Sequence, residues 1–131
     1  MSDIYKPLSG YEPKEVHWLW PYLIAYGMIN IIEGDPDTGK SYLAMHLTAK
    51  LSVGGKLPDG TKLDRRPVIY CTAEDDCSYT FRPRSDAMGG DADFIFVQAE
   101  YDPLDEKGLS RLRSSCEKYK PDPSLNFFQF T

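Results

Sequence analysis

Residues 34–41 read Gly34-Asp35-Pro36-Asp37-Thr38-Gly39-Lys40-Ser41. This octapeptide matches the pattern G-x-x-x-x-G-K-[ST], the Walker A motif, which is typical of a loop that folds around phosphate. The two glycines stand where a side chain would block an approaching anion, so successive backbone N–H groups can point inward as donors. The stretch therefore predicts a phosphate-binding loop, or P-loop.

The segments on either side of the loop support this interpretation. Residues 28–33 form a short isoleucine-rich run between two glycines, which predicts a buried strand. After the loop, leucines recur every four residues, at Leu43, Leu47 and Leu51. That spacing predicts a helix that begins near Lys40, ends at Gly54-Gly55 and points its positive dipole end at the anion. A chance match to the motif in an ordinary loop would not require a strand before it and a helix after it.

The predicted nucleotide site has nine consecutive residues: Gly34, Asp35, Pro36, Asp37, Thr38, Gly39, Lys40, Ser41 and Tyr42. Lys40, a predicted catalytic residue, can reach the β and γ phosphates, and the Ser41 hydroxyl can ligate Mg²⁺. The sequence thus predicts ATP and Mg²⁺ as cofactors. Asp35 and Asp37 would add negative charge to an anion site, so we expect their side chains to point outward.

A second candidate site follows the next predicted strand, residues 68–72. In a parallel sheet, ligands bind at the carboxyl ends of strands, where the turn Ala73-Glu74-Asp75-Asp76 would lie. Glu74 could orient or deprotonate an attacking water there. A solvated turn in which one carboxylate caps the next helix explains these residues equally well.

The rest of the chain alternates strands and helices. The predicted elements are a turn at Pro58-Asp59-Gly60, a short helix opened by Pro83 and stopped at Gly89-Gly90, a strand at 94–98, a helix at 104–119 and a strand at 125–130. This order predicts an α/β fold with a largely parallel sheet flanked by helices.

Composition limits the function classes. The 131 residues suit one small domain, and 41% hydrophobic with 27% charged residues is a globular balance. A net charge of -5 does not favour a protein that wraps nucleic acid by itself. Cys71, Cys77 and Cys116 match no zinc or disulfide framework and are typical of reduced thiols. With neither a signal peptide nor an unbroken apolar span, we expect a cytoplasmic protein with no membrane partner.

Two further groups of side chains leave alternatives open. The aromatic residues Trp18, Trp20, Tyr22 and Tyr26 could stack on a base, although we expect them to pack. Arg82 and Arg84 could reach a phosphate or a neighbouring subunit, or form ordinary surface pairs with the acidic turn.

Three segments carry a resemblance to a known family: Trp18-Leu19-Trp20-Pro21-Tyr22, Ala73-Glu74-Asp75 and Arg82-Pro83-Arg84. Together with the P-loop they resemble the RecA-like ATPases of the RepA type, AAA-family ATPases of phages, plasmids and mobile elements. The resemblance covers about residues 15–120. It implies a RecA-like P-loop NTPase fold, ATP hydrolysis in a replicative helicase or another DNA-processing motor, a homo-oligomeric ring, and Glu74 as catalytic base.

The resemblance also implies a Walker B aspartate at the end of a later apolar strand. Residues 125–130 contain no aspartate, and Asp122 lies before that strand. We therefore expect residues 1–14 to be an irregular lead-in and 15–131 to be the N-terminal part of a RecA-like P-loop ATPase domain, truncated at its C-terminus. DNA contacts and an arginine finger would lie in the missing part. Such a chain alone should bind nucleotide weakly and turn over little ATP.

Two other functions use the same loop. A small-molecule kinase would need an acceptor pocket and usually an arginine-rich lid, which Arg82-Pro83-Arg84 is too short to establish. A non-catalytic nucleotide-binding fragment would need neither.

Overall fold

The computed structural model describes residues 4–35, 38–71, 76–98 and 105–119. After a 3₁₀ turn at Leu8–Gly10, its elements are β1 (Trp18–Trp20), β2 (Ile24–Ala25), α1 (Lys40–Val53), β3 (Val68–Tyr70), a π-helical turn (Cys77–Phe81), α2 (Arg82–Ala87), β4 (Ile95–Val97) and α3 (Glu106–Tyr119). Helices and strands alternate from α1 onward, as the sequence predicts. The predicted strand at 125–130 lies outside the described residues.

The strands β3 and β4 form a parallel pair. Val68 is opposite Ile95, and Tyr70 is opposite Val97. Parallel neighbours need a crossover, which here contains the π-helical turn and α2. Both strands and α2 contact α1. The prediction of an α/β arrangement with parallel strands is confirmed for this small sheet.

Helix α1 lies between two apolar clusters. On one side Leu47 and Leu51 pack with Leu19 and Ile24 of the β1–β2 hairpin, and Trp20 and Tyr26 cover this cluster. On the other side the cluster comprises Ala44, Met45, Tyr70 and Phe81. The helix therefore fixes the hairpin, the sheet and the crossover relative to the loop at its N-terminus. The packing interpretation of the aromatic lead-in is confirmed for Trp20 and Tyr26, whereas Trp18 and Tyr22 contact each other and are 38% and 85% exposed.

A polar network ties the C-terminal end of α1 to the turn before β4. The buried Ser52 hydroxyl accepts a hydrogen bond from the Asp91 N–H at 2.8 Å. Arg65 donates to the Ser52 carbonyl oxygen and pairs with the Asp91 carboxylate at 2.6 Å. The hydrogen bond from the Asp93 N–H lowers the pKa of the Asp91 carboxyl below its usual value, and the Arg65 side chain adds a smaller effect in the same direction. Two sequence-distant turns are thereby held against one helix.

The C-terminus of α1 requires a glycine, as predicted. Gly54 adopts φ +64°, and its N–H reaches the Leu51 carbonyl. A β-carbon at Gly54 would lie 3.1 Å from the Arg65 backbone nitrogen and 3.3 Å from the Leu63 carbonyl oxygen. Both the left-handed backbone and the close neighbours exclude a side chain.

We expect Gly54→Ala to lower the free energy of unfolding by roughly 1–3 kcal/mol, since strain and crowding add. Gly60→Ala is the matched control, because Gly60 has φ +90° with nothing within 4 Å of an added β-carbon. Urea denaturation of both variants separates the crowding from the backbone strain. An equal loss of unfolding free energy in the two variants would show that Arg65 and Leu63 move aside at no energetic cost.

The prediction of a strand at residues 28–33 is wrong. The segment pairs with none of the described strands, and Ile29 and Ile31 are 87% and 75% exposed. The Asn30 amide instead accepts from the Ala25 N–H and donates to the Ala25 carbonyl. Such a side chain imitates a strand partner and holds the segment back against β2, which competes with pairing into the sheet.

Candidate phosphate-binding site

The P-loop leads directly into α1. The structure describes Gly34, Asp35, Thr38, Gly39, Lys40, Ser41 and Tyr42 of the predicted site, whereas Pro36 and Asp37 lie outside the described residues. Gly39 precedes the helix with φ +89°, a backbone conformation that favours glycine, and offers no side-chain cap. The first N–H groups of a helix have no intrahelical acceptor, so this uncapped end can donate to an anion.

Two side chains bond within the loop. The Lys40 ammonium donates to the Gly34 carbonyl oxygen at 2.5 Å. The Thr38 hydroxyl donates to the Asp35 carbonyl oxygen at 2.7 Å. Lys40 therefore crosses from the first residue of α1 to the opposite end of the loop. Asp35 is exposed, as expected.

The residues present fit a triphosphate with Mg²⁺. Ser41 is half-buried at the second position of α1, next to Lys40, where its hydroxyl could serve as a magnesium ligand. No acidic residue occupies the first turn of α1, so the helix itself places no carboxylate at its positive end. The described residues include no group of three or more His, Cys, Asp or Glu side chains that could hold a metal.

The acidic turn is described only in part. Glu74 lies outside the described residues, together with the rest of 72–75. Asp76 caps the π-helical turn, since its carboxylate accepts from the Ser78 and Tyr79 N–H groups at 2.9 and 2.8 Å. The capping interpretation is therefore confirmed for Asp76, and the catalytic role of Glu74 stays a prediction.

The two arginines of α2 behave differently. Arg82 pairs with Asp86 at 3.0 Å, four residues away on the same helix. The Arg84 guanidinium lies 4.5 Å from the centre of the Tyr42 ring on α1. The sequence did not reveal this second contact, because the two residues meet only when α2 packs against α1.

The cysteines show no sign of a reactive site. All three side chains are half-buried, and none of them forms a disulfide within the described residues. Burial, with a smaller effect of Glu117, raises the pKa of the Cys116 thiol and disfavours its thiolate. Among the described helices, none is both long and apolar enough to cross a membrane.

Comparison with known proteins identifies a family for this chain. A family profile described as an AAA domain matches residues 6–120, which include the P-loop, the acidic turn and α2. Neither a curated protein nor a solved structure gave a match. Because the match extends over most of the sequence, the chain belongs to the AAA domain family of P-loop ATPases.

Proposed function

We propose that this protein is a RecA-like, RepA-type P-loop ATPase that binds ATP with Mg²⁺ and hydrolyses it. The contact between Lys40 and the Gly34 carbonyl carries the proposal. It places an ammonium group inside the loop, at an uncapped helix end. A phosphate oxygen that replaced the carbonyl as acceptor would gain a charge-assisted hydrogen bond.

Each residue then has a task in binding. The loop amides and the first turn of α1 donate to the phosphates, and Lys40 supplies the positive charge. Ser41 would provide one ligand for Mg²⁺. When bound, Mg²⁺ would neutralise part of the negative charge of the β and γ phosphates. Gly39 holds the backbone in the left-handed conformation that directs the chain into the helix.

For hydrolysis we propose Glu74 as the catalytic base. Asp76 already supplies the helix cap, so the turn does not need Glu74 for that purpose. The turn follows β3, one of two parallel strands that contact α1. Ligands in parallel α/β sheets bind beyond the carboxyl ends of the strands, which favours this turn for contact with the attacking water.

The resemblance supports a further proposal, that the protein is a subunit of a homo-oligomeric ring that acts on DNA in replication or processing in the cytoplasm. Arg82 pairs within its own helix, which weakens the case for Arg82 as a lid arginine of a small-molecule kinase. A non-catalytic nucleotide-binding protein is the second candidate, since the described residues of the P-loop are assigned to binding and the proposed base, Glu74, lies outside the described residues.

One experiment separates these functions. The protein is incubated with ATP and Mg²⁺, and phosphate release is measured without additions, with single-stranded DNA, and with a panel of small hydroxyl acceptors. A motor ATPase should be stimulated by DNA, a kinase should transfer phosphate to an acceptor, and a binding protein should do neither while still binding ATP in calorimetry. Failure to bind ATP would contradict all three.

A further inference from the structure

We propose that Tyr42 is a positioning residue that holds Arg84 beside the first turn of α1, where Arg84 adds a second positive charge to the phosphate-binding loop. The inference rests on the proposed nucleotide binding. According to this inference, Tyr42 on α1 and Arg84 on α2 together contribute part of the affinity for the triphosphate.

The contact connects two helices at the site itself. Tyr42 follows Ser41 directly, is the third residue of α1 and is 51% exposed. The Arg84 guanidinium lies 4.5 Å from its ring centre, within the range of a cation–π interaction. Arg84 is half-buried, because α2 packs against α1. The ring therefore fixes the guanidinium beside Tyr42, the residue that follows Lys40 and Ser41 in the first turn of α1.

Arg82 provides the contrast. Its Nε donates to both oxygens of Asp86 at 3.0 Å, so its charge is locally balanced. Arg84 has no ion pair within residues 4–35, 38–71, 76–98 and 105–119. Among the described residues, the two arginines of this short helix thus differ in whether a carboxylate pairs with the guanidinium.

Two helix dipoles act on Arg84: the last turn of α2, where Arg84 lies, favours a cation, whereas the first turn of α1 disfavours one. A cation near a helix N-terminus opposes the helix dipole, and Lys40 already occupies the first position of α1. The aromatic ring offsets part of this repulsion. A bound polyphosphate makes the local electrostatic energy favourable, because Lys40, Arg84 and the dipole of α1 then all attract the same anion. Partial burial reduces the screening of this attraction by salt.

The test compares four variants by calorimetry with ATP and, separately, with inorganic tripolyphosphate. Arg84→Ala and Tyr42→Leu should each weaken the binding of both ligands by about three- to tenfold, the range expected when one partly screened charge near the ligand is lost or displaced. Tyr42→Phe keeps the ring and should bind like wild type. Arg82→Ala makes the same charge change on the same helix and should alter the affinity by less than about twofold, since its charge is balanced. The losses should shrink in high salt.

The other outcomes overturn the inference. Equal losses in Arg82→Ala and Arg84→Ala would show an effect of net charge alone. A loss for ATP with none for tripolyphosphate would mean that Arg84 recognises the base. A lower melting temperature of Tyr42→Leu with wild-type affinity would show a packing role only. If wild type binds neither ligand, the proposed function fails and this inference with it, whereas wild-type binding with an inert Arg84 rejects this inference alone.

Discussion

Lys40→Ala should weaken ATP binding by roughly tenfold to a hundredfold, the range expected when a charge-assisted hydrogen bond to an anion is lost. The fold should persist, because the hydrogen bond of the Lys40 side chain goes to an exposed loop carbonyl rather than into either apolar cluster. Calorimetry with ATP measures the affinity, and circular dichroism during heating measures the stability.

Lys50→Ala is the matched control for this variant. Lys50 lies in the last turn of the same helix, so its replacement removes the same charge at the end remote from the loop. ATP affinity should remain close to that of wild type. Equal affinities of the Lys40 variant and wild type would contradict the phosphate-binding role of the loop. Equal losses in both variants would indicate that only the net charge matters.

The sequence predicted α1 well, because its signals are local. The four-residue leucine spacing defines the buried face, and Gly54 stops the helix through its own backbone conformation. The strand around Val68 and the strand around Ile95 were also predicted, since each is a short apolar run between turns. Their parallel pairing follows from the intervening helix.

The sequence did not reveal features that depend on distant partners. Residues 28–33 have strand composition, but the Asn30 amide bonds to Ala25 and takes the place of a neighbouring strand. Three adjacent carboxylates offered no way to choose the helix cap, because the choice of Asp76 depends on the position of the turn relative to the Ser78 N–H. The Tyr42–Arg84 contact likewise requires the packing of α1 on α2.

Glu74→Gln should leave ATP affinity within about twofold of wild type and lower the rate of hydrolysis by roughly 10²–10⁴-fold, the usual contribution of a positioned general base. The proposed carboxylate acts on the attacking water and not on the ground-state phosphates, so binding and chemistry should separate. Glutamine keeps the size of the side chain but cannot accept the proton. Single-turnover phosphate release, with protein in excess over ATP, measures the chemical step even when it is slow.

Asp76→Asn is the matched control for this prediction. It neutralises a carboxylate two residues away, and asparagine can still accept from the Ser78 and Tyr79 N–H groups as a helix cap. Stability and hydrolysis should therefore both stay near wild type. Full hydrolysis by Glu74→Gln would exclude Glu74 as the base. Loss of ATP binding in Glu74→Gln would instead mean that the turn supports the nucleotide itself. A rate loss shared by both variants would show that the negative charge of the turn, and not one positioned carboxylate, acts on the reaction.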